Sequence, residues 1–183
     1  MAAARELPDA PVDTVLMDDE RTARRMARDL VEEGHQRVAF IGNIVTVSAH
    51  RVRYQALVDE LGQAGVTLDP RLVRGVSDDV VDARGVAASF LELPHPPTAI
   101  VAANNRITVG ALKAYADAVR AGARGESLPV MAAFDEIELA PLLTVRTRAY
   151  ASDPRELGRA AARLLFDRLD GAVTGDALRL VLP

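Results

Sequence analysis

Short unbroken apolar runs alternate along the chain with longer stretches in which one apolar stripe recurs every three to four positions. The first pattern predicts strands buried on both faces, the second amphipathic helices. Val12 to Met17 is a short run; Ala23, Met26, Ala27, Leu30 and Val31 then form a stripe from about Glu20, with Asp19 placed as N-cap and Gly34 as the stop. Arg37 to Gly42 (RVAFIG) reads as a strand and is followed, after a polar loop, by a helix bearing Tyr54, Leu57, Val58 and Leu61. Arg71 to Gly75 is a weaker strand. Asp79 to Leu93 is a helix carrying Ala83, Val86, Ala87, Phe90 and Leu91, broken by Pro94 to Pro97.

The stretch PPTAIVAANNRITVGALKA, residues 96–114, is then a turn, a strand from Thr98 to Ala103 and a helix with Leu112, Tyr115, Ala116 and Val119 on one face. Val130 to Phe134 (VMAAF) is a further buried strand, and residues 135–149 form a long connection with strand character near its end. Asp153, Pro154 and Glu156 give an N-cap, a first-turn proline and a third-position acid, so a final helix begins there. Leu157, Ala160, Ala161, Leu164 and Leu165 supply its stripe, Gly171 ends it, and Leu178 to Leu182 is a last strand. Strands separated by single amphipathic helices predict an α/β fold, a parallel sheet flanked by helices on both faces.

Composition narrows the chemistry. The chain has 183 residues, 49% apolar and 26% charged, as expected for one domain or two small lobes. Cysteine is absent, and His35, His50 and His95 lack metal-ligand spacing, so neither thiolate nor zinc chemistry is predicted and no cofactor is expected. A net charge of −4 argues against a chain that grips nucleic acid by itself, since phosphate binding needs a concentrated basic surface. Lys113 is the only lysine, and no GxSxG, HExxH or GxGxxG motif occurs. With neither a secretory leader nor a membrane span in view, the expected setting is cytoplasmic.

Open α/β sheets bind ligands beyond the carboxyl ends of their strands. Asp18 follows the first strand, Asn43 and Ser48 the second, Asn104 and Asn105 the strand at 98–103, and Asp135 and Glu136 the strand at 130–134. Amides and carboxylates in a partly dry cleft suit a neutral, hydroxyl-rich ligand such as a sugar or nucleoside better than a phosphate. Each position has a plainer reading as well. Asp18, Asp19 and Asn104 can serve only as helix caps, Arg53 as solvated surface, and Phe134 and Tyr150 as core instead of a face for a sugar ring.

RVAFIG, Ser48 with Arg53 and the helix running to QAGV, PPTAIVAANNRITVGALKA, VMAAFDEIELAPLLT and DPRELGRAAARLLFDRLDG together resemble successive blocks of LacI-type transcriptional regulators, in their effector-binding core. The resemblance runs from about Val12 to the end. It implies a periplasmic-binding-protein-like architecture, here mainly one lobe: an N-terminal segment and first strand at 1–17, an α/β ligand-binding domain at 18–149 similar to the family's C-terminal lobe, and a segment at 150–183 matching the return to the N-terminal lobe. Arg53 matches the family's pocket arginine, with Leu57 at an aromatic position and Ala56 at the usual glycine. Asn104 matches a pocket asparagine, with Asn105 in place of aspartate. Asp135 matches the ligand-binding aspartate, although Ala133 replaces a glycine and Glu136 an aspartate. Met17 and Ser48 are implied to line the pocket, and Ser152 falls where glutamine is frequent.

What the resemblance implies for function is sensing without catalysis. A sugar- or nucleoside-class effector would bind at the strand ends and control DNA binding by a homodimer, through a helix-turn-helix head that precedes the matched region in the family and is missing from this sequence. Two other readings stay open at this point: a small α/β enzyme using Asp18, Asp135 and Glu136 with Mg2+, and a transport-type sugar-binding protein. No membrane partner is expected.

Overall fold

The computed structural model describes residues 1–4, 6–7, 10–137 and 144–183. Part of the VMAAFDEIELAPLLT block, residues 138–143, lies outside the described residues. Strands β1 (Ala2–Ala3), β2 (Thr14–Met17), β3 (Val38–Ile41), β4 (Val73–Arg74), β5 (Ala99–Ala102), β6 (Val130–Ala133), β7 (Thr147–Ala149) and β8 (Arg179–Leu182) alternate with helices α1 (Asp19–Glu32), α2 (Ser48–Gln63), α3 (Val80–Leu91), α4 (Asn105–Arg120) and α5 (Pro154–Leu169). The chain divides into two compact units, residues 20–151 and residues 1–19 with 152–183.

The larger unit carries a five-stranded sheet in the order β4-β3-β5-β6-β7, every neighbouring pair parallel. β3, β5 and β6 are buried at every position, which is why their sequences are apolar without alternation. Because β4 lies on one side of β3 and β5 on the other, right-handed crossovers put α2 on one face and α3 and α4 on the opposite one. Arg24 and Arg28 of α1 reach Glu60 of α2, which places those two helices side by side. α3 and α4 meet closely at Gly110, where an added Cβ would lie 2.5 Å from the Val80 carbonyl oxygen and 2.6 Å from Ala83 Cβ.

Several local expectations shift by a few positions. Asp19 is the first residue of α1 instead of its cap. The strand at 71–75 shrinks to Val73–Arg74, since Asp69 accepts from the Arg71 N–H and winds Pro70–Leu72 into a 3-10 turn. On α4 the buried face is Ile107, Ala111, Ala114 and Tyr115, while Ala116 is exposed. Tyr115 of the predicted stripe is fully buried, while Leu112 and Val119 pack on the edge of the core and are only half-buried.

In the smaller unit β1, β2 and β8 form a parallel sheet in the order β1-β2-β8. Asp153 caps α5 by accepting from the Arg155 N–H, with Pro154 in the first turn, as the sequence predicts. Ala161 and Leu164 are buried against Val15 of β2, with Leu157, Ala160, Val173 and Leu182 around them. Leu165 does not belong to that buried stripe: it is 42% exposed, and Phe166 and Leu169 are 61% and 70% exposed. Arg168 grips Asp13 through two hydrogen bonds of 2.8 and 2.7 Å, and the Leu178 N–H donates to the same carboxylate at 2.8 Å. That clamp ties α5 and the approach to β8 to the start of β2.

Candidate functional site

Register pairing brings the carboxyl ends of three strands level with one another. Ile41 pairs with Ala102, and Ala102 with Ala133. Asn43, Asn104 and Asp135 each stand two residues beyond this row, so adjacent ladders at roughly 4.8 Å spacing set three polar side chains along one edge of the larger unit. Gly42 makes the edge tight: a Cβ there would lie 2.6 Å from Ala103 Cβ and 2.7 Å from the Phe40 ring.

Arg53, half-buried on α2, spans two of these ends. Its guanidinium donates to the Ala103 carbonyl beyond β5 and lies over the Phe134 ring beyond β6, 4.6 Å from the centroid. A planar, weakly hydrated cation is suited to this combination of stacking and donation. Phe134 is buried, and Arg53 occupies a face of its ring. Asp135 is half-buried and Glu136 exposed.

The cap role considered for Asn104 is observed, and its amide nitrogen makes further contacts of its own. Its Oδ1 accepts from the Ile107 N–H at 2.9 Å and so caps α4, while its Nδ2 donates to Asp78 Oδ1 at 2.9 Å. The same nitrogen lies 3.2 Å from Nε2 of His50. His50 is 2% exposed, and its Nδ1 accepts from the Asn43 N–H at 3.0 Å. Burial pushes the imidazole below its ordinary pKa; Asp78 and Asp135 pull it up and Arg53 pushes it down, by lesser amounts. Histidine 50 was not among the residues singled out from the sequence. Its signal was a position three residues before Arg53, hence on the same helix face.

Ser48 is the first residue of α2 and half-buried; Val47 occupies the cap position without a side-chain bond. Met17, Asp18 and Ser152 belong to the smaller unit. Met17 ends β2 opposite Leu182, the Asp18 N–H donates to the Leu182 carbonyl at 2.8 Å, and Ser152 is half-buried just before the α5 cap. Among the described residues no three histidines or carboxylates are grouped to hold a metal ion, and no helix is long and apolar enough to cross a membrane.

A cavity of about 470 Å3 lies away from this edge, lined by Arg37, Arg71, Arg74, Phe90, Leu93 and His95. Its charge is partly cancelled, because Arg37 and Arg71 both bind Asp69. We place the candidate site at the strand ends, where polar groups beyond three strands meet those of α2, and not in this cavity.

Residues 27–183 match the family model of the periplasmic binding protein-like domain. The chain is 31% identical over 185 residues to the HTH-type transcriptional repressor CytR of Escherichia coli K12, an alignment covering 99% of this chain and 52% of that protein. It thus spans about half the length of the curated relatives it matches. Among solved structures, the transcriptional regulator CelR–cellobiose complex superimposes with a TM-score of 0.81 at 26% identity, covering 96% of this chain and 53% of that one. A LacI family transcriptional regulator from Enterococcus faecium with bound ribose gives a TM-score of 0.81 at 19% identity, covering 97% and 64%, a likeness of fold. Parallel strands ending in a polar edge, the family match and these relatives agree: the chain belongs to the periplasmic binding protein-like domain family and is similar to the corresponding domains of LacI-type transcriptional regulators.

Proposed function

We propose that this chain is the ligand-sensing part of a LacI-type regulator and that its effector is a small neutral polyol of the sugar or nucleoside class, bound at the carboxyl ends of β3, β5 and β6. The observation that carries this reading is the level row of Asn43, Asn104 and Asp135 with Arg53 laid across the last two strand ends. Such a row offers directional donors and acceptors without a net charge that a neutral ligand would leave unpaired. The ribose and cellobiose held by two of the structural relatives support the ligand class.

In a regulator containing this domain, the effector acts by binding one conformational state better than another, and its differential affinity shifts operator binding through a separate DNA-reading head. With a net charge of −4 this chain does not itself supply the basic surface for that task. Assembly as a homodimer belongs to the same proposal, and sedimentation over a concentration series tests it, a monomer throughout being the adverse result. Calorimetric titration with D-ribose, cellobiose and a ribonucleoside tests the effector class. Binding by at least one, weakened in both Arg53→Ala and Asp135→Ala, supports the reading; affinities unchanged in both variants overturn the site.

A further inference from the structure

The hydrogen bonds around His50 cannot all be made at once. Nδ1 faces the Asn43 N–H at 3.0 Å, so it must be an acceptor and a neutral ring then carries its proton on Nε2. Nε2 faces Asn104 Nδ2 at 3.2 Å, and that group is also a donor. The Asn104 amide cannot simply be turned over. Its oxygen is engaged by the Ile107 N–H and its nitrogen by the Asp78 carboxylate, and reversing it would set oxygen against carboxylate and amino group against N–H.

Other protonation states only move the conflict. A proton on Nδ1 opposes the Asn43 N–H, and an imidazolium donates from both nitrogens and opposes both neighbours. Burial, which keeps His50 neutral, makes the imidazolium the least favoured choice. A donor therefore faces a donor at a position that is 98% covered, beside Arg53 and Asp135, which are charged and act on the same ring.

We propose that His50 is a ligand-binding residue of the effector cleft, a buried Nε2–H donor whose missing acceptor is an oxygen of the bound effector, admitted by a shift of the Asn104 amide. This rests on the reading of the strand ends as an effector site. A hydroxyl or carbonyl oxygen arriving between the two side chains accepts from Nε2–H and from the N–H that Asn104 had turned toward the ring. If it is a hydroxyl, its own proton has the Asp78 carboxylate nearby. An ammonium group, a donor only, leaves the conflict in place, so the site selects hydroxyl-bearing sugars over amino sugars at this contact. The unliganded arrangement is thereby less well satisfied than the liganded one, and His50 acts on ligand affinity by its own Nε2–H, with Asn104 donating to the same oxygen.

The test uses the 183-residue chain, with D-ribose as the probe. Long-range 15N–1H correlation of the imidazoles at neutral pH should show His50 as the Nε2–H tautomer, and added ribose should shift that proton toward the hydrogen-bonded range. His50→Asn keeps an acceptor for the Asn43 N–H and removes Nε2–H; it should fold with little change in melting temperature and weaken ribose binding roughly tenfold. His50→Gln, which can present an N–H where Nε2 stood, should recover most of that loss even though it gives up the bond to Asn43. An Nδ1–H tautomer, or ribose affinity in His50→Asn equal to the parent's, overturns the proposal. If the parent does not bind ribose, the effector reading fails for that sugar; the tautomer then decides on His50, Nε2–H sustaining its role and Nδ1–H ending it.

Discussion

The guanidinium of Arg53 stacks on the ring of Phe134 at 4.6 Å while donating to the Ala103 carbonyl, so one side chain from α2 bridges the ends of two neighbouring strands. Removing it has two separable consequences. Arg53→Ala should destabilise the fold by about 1–3 kcal/mol, from the lost cation–π contact and charged hydrogen bond together. Arg53→Lys should retain part of that stability yet lose most ligand affinity, because an ammonium cannot stack and donate in a plane. Urea denaturation and calorimetry on both variants separate the effects, and equal affinity in Arg53→Lys and the parent would count against a ligand role.

Asp135 is half-buried just beyond β6, and a carboxylate on one methylene has little apolar surface to lose. We expect Asp135→Ala to leave stability within about 0.5 kcal/mol, as for other partly exposed substitutions. Effector binding should weaken by roughly 2–4 kcal/mol, the range for removing a charged partner from a desolvated hydrogen bond. A loss of stability without loss of affinity would reassign Asp135 to the scaffold.

At Gly42 the close approach of β3 and β5 leaves no room for a side chain. Gly42→Ala should cost about 1–3 kcal/mol, as overpacking does, since the obstacles are Ala103 Cβ and a buried Phe40 ring. Spreading the strand ends should also move the Ala103 carbonyl that Arg53 uses. Chemical denaturation together with ligand titration reads both effects, and a variant as stable as the parent would show that Ala103 and Phe40 yield to a methyl group.

Burial lowers the pKa of both His50 and His35 from the ordinary 6.5. The unfolded chain therefore takes up protons at a higher pH than the folded one does. Stability contributed by these neutral rings is present above about 6.5 and is lost as pH falls below it. Urea midpoints measured from pH 7.5 downward should decline, and the slope should become shallower in His50→Asn. An unchanged slope would mean that His50 is not held neutral in the folded state.

Asp13 behaves with the usual carboxylate sign. The Arg168 side chain, and next the Leu178 N–H, lower its pKa to about 2. The stabilisation is present above the ordinary value of 3.8 and is lost as pH falls through about 2. Asp13→Asn should remove that part of the acid transition, and in the smaller unit it should loosen the start of β8 first. Amide exchange at residues 178–182, compared between the variant and the parent at pH 4, checks this. Equal protection would place the clamp outside the stability of β8.

Local patterns were legible in the sequence because strands buried on both faces must be apolar throughout and helices covered on one face must carry a stripe. RVAFIG, TAIVAA and VMAAF therefore stood out, as did Asp153–Pro154 at the start of α5. The rule that ligands gather at strand carboxyl ends then drew attention to Asn104 and Asp135 from sequence position alone. Only the tertiary structure decided what those groups do to one another. Strand order is a matter of which surfaces fit and cannot be read from spacing, so the levelling of residues 43, 104 and 135 emerged from the register of three ladders. Packing turned α4 so that Ile107, Ala111, Ala114 and Tyr115 are buried and Ala116 is not, and buried Ala161 and Leu164 of α5 while leaving Leu165 outside. In the sequence His50 stood out only as a histidine without metal-ligand spacing, since a lone histidine on a helix has no further meaning until its neighbours are known. Long-range folding set an N–H before one ring nitrogen and an amide before the other, a conflict between groups up to 54 positions apart along the chain.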